Sequence, residues 1–290
     1  MSFTPETYDA ATASQWLFCV TCGAQYPTAD RDTLKTCFIC DDPRQYFVTY
    51  EGDDRITFIH TVPRLAIGQR AILIRTPAGN ILWDCITLLD EETIGRINQL
   101  GGIKAMVISH PHFYSSHVQW ARAFGCPVYI SAEDEKWTTL KSSHRLTLTD
   151  IESDEVLPGS GAKAIKLGGH FPGSMVLLFD GRLFIADTLM TTPAGIGNWA
   201  ENAQFEAREK PPGFNTFAFL WSIPNAIPLG ADELARMWGI LRGYDFKATH
   251  GLFMGMDIED VRIKERVLES MKIQMRAMGH ATHALLAETV

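Results

Sequence analysis

The sequence predicts an α/β or α+β sandwich with helices on the outside, preceded by a small cysteine-containing module. From residue 55 onward, short apolar strand-like runs alternate with turns and helical stretches. The chain has 290 residues, which suits one large domain with a small appendage. We therefore divide it into a module at residues 1–50 and a main domain at residues 51–290.

Individual elements of the main domain follow from local patterns. Turn residues at 76–80 and the Asp180-Gly181 pair predict two hairpins, and glycines at 101, 102 and 125 predict helix ends. Strands are predicted at residues 56–59, 71–75, 81–84, 105–109, 128–130, 175–179 and 183–186. Helices are predicted at residues 90–100, 116–124, 231–241 and 258–286.

Composition limits the partners that we expect. Acidic residues exceed basic ones by 34 to 26, giving a net charge of −8, which argues against nucleic acid or an anionic membrane. The first basic residue is Arg31, and no apolar run approaches the roughly 18 residues of a membrane span. We expect a cytoplasmic protein that acts on a small molecule.

The N-terminal module contains two C-x-x-C pairs with 14 residues between them. Cys19 and Cys22 form the first pair, and Cys37 and Cys40 form the second. Two such turns can present four thiolates at the corners of a tetrahedron. The spacing predicts a zinc ribbon at about residues 15–48, stabilised mainly by its metal.

Iron is the alternative metal for these four cysteines. Cys22-Gly23, with Tyr26 nearby, resembles the first knuckle of rubredoxins, but Cys37-Phe-Ile-Cys40-Asp41 lacks the Pro and Gly usual in the second. The remaining Cys85 and Cys126 have no close partner in sequence and are predicted to be small core residues.

Histidine and aspartate side chains occur at the ends of several predicted strands. His110 and His112 follow the strand at 105–109 and, as alternate residues, can point to the same side. His170 lies in a glycine-rich loop, Asp187 ends the strand that begins at 183, and His250 lies at another strand-to-loop junction. Such side chains can converge at one sheet edge, which predicts a metal site.

These residues resemble the signature of the metallo-β-lactamase superfamily. That signature is H-x-H-x-D-H after a strand, a glycine-flanked His, an Asp at a strand end and a late His. The resemblance covers about residues 55–255 and extends to Asn80-Ile-Leu-Trp-Asp84 and Gly169-His170-Phe-Pro-Gly-Ser174. It implies an αβ/βα sandwich with a metal site at one edge, held by His110, His112, His170, Asp187 and His250.

The sequence departs from that signature at the second metal position. Tyr114 stands where the superfamily has Asp, and Ser115 stands where it has the next His. His117 lies two residues further on, and on a helix this offset turns it about 200° away. The resemblance therefore implies one tightly held zinc, with the second partial or absent.

The implied reaction is hydrolysis of an activated carbonyl in a lactam, lactone or ester by a metal-bound hydroxide. Asp187 would be a fourth ligand or a base, and His250 would join a second metal or hydrogen-bond the substrate oxyanion. Tyr114 would polarise the carbonyl or simply pack.

An aromatic-rich segment predicts a small, fairly apolar substrate if it forms a lid, and otherwise belongs to the core. Its aromatic residues are Trp199, Phe205, Phe214, Phe217, Phe219 and Trp221.

Other functions compete with the hydrolase. One is a non-catalytic protein with a decayed metal site, and another is an iron-containing redox protein like the flavodiiron proteins. The latter use carboxylates where this chain has His112 and also need a flavin-binding domain. A superfamily nuclease is disfavoured by the net charge, and a glutathione thiolesterase by the altered signature.

Overall fold

Two stacked β-sheets with helices packed against them form the main domain. The computed structural model describes residues 11–18, 25–37, 44–197, 201–202, 204–207 and 214–290. In chain order the strands of these ranges are β1 (Leu17–Phe18), β2 (Gln25–Tyr26), β3 (Arg44–Tyr50), β4 (Asp53–Val62), β5 (Arg70–Thr76), β6 (Gly79–Trp83), β7 (Ala105–Val107), β8 (Val128–Ser131), β9 (Arg145–Leu148), β10 (Glu152–Glu155), β11 (Lys163–Lys166), β12 (Met175–Phe179), β13 (Arg182–Phe184), β14 (Met190–Thr191), β15 (Phe217–Ala218), β16 (Leu220–Ser222), β17 (Ile227–Pro228), β18 (Ala248–His250) and β19 (Asp257–Glu259). The α-helices are α1 (Glu91–Gln99), α2 (His117–Phe124), α3 (Ala231–Leu241) and α4 (Ile263–Ala277).

The first sheet has seven strands in the order β3-β4-β5-β6-β7-β8-β9. Strands β3 to β6 pair antiparallel, whereas β6 to β9 pair parallel. Parallel neighbours need a crossover, and helices α1 and α2 provide the crossovers on either side of β7. The carboxyl end of β7 therefore opens at the edge where the His110 loop begins.

The second sheet has six strands in the order β10-β11-β12-β13-β18-β19. Its hairpin between β12 and β13 turns through Asp180 and Gly181, which have φ angles of 46° and 71°. Both values are positive, as a two-residue turn matched to the twist of a hairpin requires. Strand β18 returns parallel to β13 after the long excursion that contains α3.

Alternate residues of β12 show how the layers pack. Met175 and Leu177 belong to the apolar cluster shared with the first sheet, and Val176 belongs to the cluster shared with α3 and α4. One face of the second sheet thus covers the first sheet, and the other face is covered by helices. This arrangement confirms the αβ/βα sandwich predicted from the sequence.

Two boundaries differ from the sequence prediction. The helix expected at 258–286 is divided, because residues 257–259 pair with β18 and Gly279, at φ 88°, follows the end of α4. Strand β3 pairs with β4 in the first sheet, so residues 44–50 do not belong to the cysteine module. Residues 44–50 and 257–259 are strands because each pairs with a neighbouring strand of its sheet.

The predicted cysteine metal site falls mostly outside the described residues, which exclude Cys19, Cys22 and Cys40. Cys37 is described, and its Sγ accepts a hydrogen bond from Tyr26 Oη at 2.9 Å. Cys85 and Cys126 are buried, as predicted for core residues. Among the described helices, none combines the length and apolar character needed to cross a bilayer.

Candidate metal centre

Four predicted ligands meet at one end of the sandwich: His110, His112, His170 and Asp187. His110 follows β7 in extended backbone, and a 3-10 turn at Pro111–Phe113 brings His112 to the same side. His170 lies in a loop that turns through two glycines with positive φ, and Asp187 follows β13. Their donor atoms all lie within 4.8 Å of one another.

The distances between these atoms suit a small tetrahedral cation. Nδ1 of His112 lies 3.3 Å from Nε2 of His110 and 3.2 Å from Nε2 of His170. Asp187 Oδ2 lies 3.2 Å from His110 Nε2 and 3.7 Å from the His112 and His170 donors. A zinc ion with bonds of about 2.0–2.1 Å to its ligands requires edges of roughly 3.3–3.4 Å. The residues present therefore fit the metal that the sequence predicts.

Two of the histidines, His110 and His170, are oriented by contacts at Nδ1, the ring nitrogen that faces away from the cluster. His110 Nδ1 lies 2.9 Å from Ser109 Oγ, and His170 Nδ1 lies 3.2 Å from the carbonyl oxygen of Leu220. A carbonyl only accepts, so Nδ1 of His170 carries the proton and Nε2 is left with a free lone pair. Such partners hold a ligating imidazole in its orientation.

The ionisation of the cluster also suits a metal. Burial lowers the pKa of His110 to about 4 and lowers the pKa of His170. Burial alone would raise the pKa of Asp187, but the neighbouring rings of His110, His112 and His170 outweigh it and hold that pKa well below its usual range. Neutral imidazoles beside a carboxylate are the protonation states that a metal ion binds.

One side of the cluster is open to solvent. The side chains of His110, His170 and Asp187 are buried, whereas that of His112 is 51% exposed. A substrate or water can reach the cluster from the His112 side.

Asp84, at the end of β6, has a buried carboxyl group behind the His110 loop. Its Oδ1 accepts a hydrogen bond from the Ser109 amide at 2.7 Å, and its Oδ2 has no hydrogen-bond partner. Burial raises the pKa of Asp84 to about 8, and the charge of Asp187 adds to the effect. Through its hydrogen bond with the Ser109 amide, the carboxyl group fixes the backbone next to His110.

The structure does not bring His250, a predicted ligand and catalytic residue, to the other four. In the parallel pairing of β13 with β18 it lies opposite Phe184, three residues before Asp187. That offset corresponds to roughly 10 Å along a strand. Its Nδ1 lies 2.8 Å from Asp257 Oδ1, and its Nε2 lies 3.3 Å from Arg182 Nη1. The expectation that His250 binds a metal has no support in this geometry.

His250 belongs instead to a buried polar network that joins the two sheets. Asp257 also accepts two hydrogen bonds from Arg70 of β5, at 3.0 and 2.6 Å. Arg182 of β13 donates to Asp53 of β4 at 2.9 Å. Both arginines are almost completely buried and are paired with carboxylates, so His250 lies within a network of buried ion pairs.

Tyr114 and Ser115, which stand at two positions of the signature described above, make hydrogen bonds outside the cluster. Tyr114 Oη donates to the Asp134 carbonyl at 3.2 Å, and the ring is buried, which favours the packing role over a catalytic one. Ser115 Oγ donates to Thr87 Oγ1 at 3.1 Å. His117 opens α2 and is not in the cluster; its Nδ1 lies 2.6 Å from the Tyr114 carbonyl.

The aromatic residues that the sequence predicts to form either a lid or part of the core differ in their exposure. Phe217 and Phe219 are fully buried against the helices, so they are core residues. Phe205 and Trp221 are exposed, and Trp199 lies outside the described residues.

Sequence reasoning missed three residues next to the cluster: Ser109, Asp134 and Trp137. Asp134 is fully buried, and both of its carboxylate oxygens lie 3.2 Å from the Gly173 amide, which donates to them. This contact ties the 3-10 turn at Ala132–Trp137 to the loop that carries His170. Of the three, only Ser109 could have been identified from the sequence, because it directly precedes His110.

Comparison with known proteins gives the fold and the family. No family model matches the chain. It is 12% identical to the FIM-1 metallo-β-lactamase from Pseudomonas aeruginosa, solved in a mono-zinc form, with a TM-score of 0.54 over 80% of this chain and 96% of that one. It is 14% identical to a flavo di-iron protein H90D mutant from Thermotoga maritima, with a TM-score of 0.51 over 79% of this chain and 62% of that one.

These two structural likenesses show a shared fold. A sequence relative is much more similar: "Uncharacterized protein YmaE" of Bacillus subtilis (strain 168) is 32% identical over 284 residues, which span 89% of this chain and 93% of that protein. The chain therefore belongs to the same family as YmaE of Bacillus subtilis.

Proposed function

We propose that this protein is a zinc-dependent hydrolase that acts on an activated carbonyl in a small, fairly apolar lactam, lactone or ester. The observation that carries the proposal is the approach of three imidazole nitrogens and one carboxylate oxygen, with five of the six separations at 3.2–3.7 Å and all within 4.8 Å. A catalytic zinc site needs such donors together with solvent access.

His110, His112 and His170 would hold the ion and leave a position open for water, and Asp187 would be either a fourth ligand or the base that binds this water. When bound, zinc supplies Lewis acidity, which polarises a carbonyl and makes water acidic near neutral pH. Ser109 and the Leu220 carbonyl keep the His110 and His170 rings in their binding orientation. Asp187 is ionised at neutral pH, so as a base it would accept a proton from water at the ion.

The proposed active site holds one metal ion. Tyr114 and Ser115 donate their hydroxyl hydrogens to protein oxygens, and both ring nitrogens of His250 are engaged. Arg182 beside His250 would also repel a second cation. A further, structural zinc on Cys19, Cys22, Cys37 and Cys40 is part of the same proposal, with iron as the alternative there.

Metal analysis and a substrate panel test the function together. Purified protein should contain zinc, be colourless, and hydrolyse at least one of a set of aryl and alkyl lactones, lactams and esters. A red or yellow protein containing iron at the histidine cluster would instead support a redox function.

A matched pair of histidine variants locates the activity. His112→Ala removes the exposed ligand and should abolish hydrolysis, whereas His280→Ala removes an exposed histidine of the C-terminal region and should leave it unchanged. Unchanged turnover in His112→Ala would refute the mechanism. Zinc binding without hydrolysis of any substrate would favour a non-catalytic member of the fold.

A further inference from the structure

An exposed tryptophan lies beside the candidate metal centre. Trp137 ends the 3-10 turn after β8 and is 52% exposed. Its ring centroid lies 5.8 Å from that of Phe171, with the planes at 82°. This is the edge-to-face arrangement that aromatic pairs favour.

Phe171 joins that tryptophan to the metal ligands. Its ring centroid lies 5.0 Å from that of His112, 5.2 Å from that of His170 and 5.7 Å from that of His110. Because His112 is the exposed ligand, its ring, Phe171 and Trp137 form a continuous aromatic surface from the cluster to solvent.

The backbone segments that carry the two aromatic side chains are joined by close contacts. The Phe171 amide donates to Ser174 Oγ at 2.9 Å, and the Gly173 amide donates to the Asp134 carboxylate. A Cβ on Gly173 would lie only 1.8 Å from Ser131 Oγ, so the two segments meet too closely for any other residue. The aromatic surface is therefore preorganised rather than formed by a loose loop.

We infer that Trp137 and Phe171 form a wall that binds an aryl group attached to the hydrolysable carbonyl. This inference rests on the proposed function and names its substrate class. Phe171 lies within 5.0–5.7 Å of the three histidine rings, so an aryl group attached to a carbonyl at the cluster would pack against it. Lys136 Nζ, 5.6 Å from the Trp137 centroid, puts positive charge at the solvent edge and disfavours a cationic substituent.

Binding of two simple hydroxamates to the zinc-loaded protein tests the wall without measuring turnover. Benzohydroxamate and acetohydroxamate share the zinc-chelating group and differ in carrying a phenyl or a methyl group. Wild-type protein should bind benzohydroxamate more tightly, and Trp137→Ala should reduce that preference about tenfold, as expected for the loss of one aromatic contact.

Tyr46→Ala is the matched control. Tyr46 is 47% exposed on β3, at the opposite edge of the first sheet from β9. Its removal should leave the phenyl-to-methyl preference unchanged.

The outcomes separate the wall from the proposed function. Equal affinities of wild-type protein for the two hydroxamates, or the same preference in Trp137→Ala as in wild type, would overturn the wall and leave the metal site standing. Failure of the histidine cluster to bind zinc would overturn both.

Discussion

The guanidinium of Arg182 lies 3.3 Å from the Nε2 atom of His250, so a histidine that the sequence assigns to a metal is instead a hydrogen-bond acceptor. Its other nitrogen then carries the proton and donates to Asp257 Oδ1. Burial lowers the pKa of His250 and favours this neutral form. The polar network occupies side chains that a two-metal site would need.

Removal of His250 should therefore reduce stability without removing the active-site zinc. In His250→Ala the buried Asp257 and Arg182 each lose a partner, and we expect the free energy of unfolding to fall by about 1–3 kcal/mol. Urea denaturation and metal analysis of the folded protein measure the two effects. Loss of one zinc per chain from folded His250→Ala would show that His250 is a ligand.

His170→Ala should lower the zinc content by one per chain relative to wild type. The ring is buried and oriented by the Leu220 carbonyl, so its loss removes one of four donors that the chain holds in place. Any metal on the cysteines is the same in both proteins, so the difference in zinc content reports on the histidine cluster alone. Equal zinc content in the two folded proteins would refute the assignment of the cluster.

Gly173→Ala should weaken zinc binding and lower stability by about 1–3 kcal/mol. Its new Cβ would lie 1.8 Å from Ser131 Oγ and 3.0 Å from Asp134 Oδ2, so the His170 loop must move away from the 3-10 turn. The control is Gly239→Ala in α3, where no atom lies within 4 Å of the added Cβ and helix propensity improves. Zinc titration and thermal unfolding compare the variants. Similar zinc affinity in both variants would show that the close contact of Gly173 with Ser131 and Asp134 does not position His170.

Asp84→Asn should flatten the pH dependence of stability in protein stripped of metal. Burial raises the pKa of Asp84 to about 8 in the folded state, whereas an exposed aspartate ionises near pH 4. Between these values the folded state binds more protons than the unfolded state, so the free energy of unfolding falls as the pH rises.

Thermal unfolding from pH 5 to pH 8 measures this slope. It should become shallower in Asp84→Asn and stay unchanged in Asp154→Asn, which alters an exposed side chain. An equal slope in wild type and Asp84→Asn would show that folding does not raise the pKa of the Asp84 carboxyl group.

Local sequence patterns were sufficient for the hairpin at Asp180-Gly181, because this dipeptide adopts the positive φ angles of a tight turn. They also indicated His110, His112, His170 and Asp187, but they indicated His250 on the same grounds. Each follows a strand or lies in a glycine-rich loop, and strand ends in one sandwich meet at a common edge. The strand at β19 could not be found in this way, because its pairing partner β18 decides it.

The sequence by itself determined the sandwich and a set of five candidate ligands that includes the four side chains of the candidate metal centre, since both depend on short-range backbone preferences and on where strands end. Only the tertiary structure decided that His250 pairs with Arg182 and Asp257, and that Trp137 lies beside Phe171. The physical reason is that strand register and side-chain packing join residues far apart in the chain. His250 pairs with Phe184, three residues before Asp187, and this strand register keeps it away from the other four side chains. No local sequence pattern reveals that register.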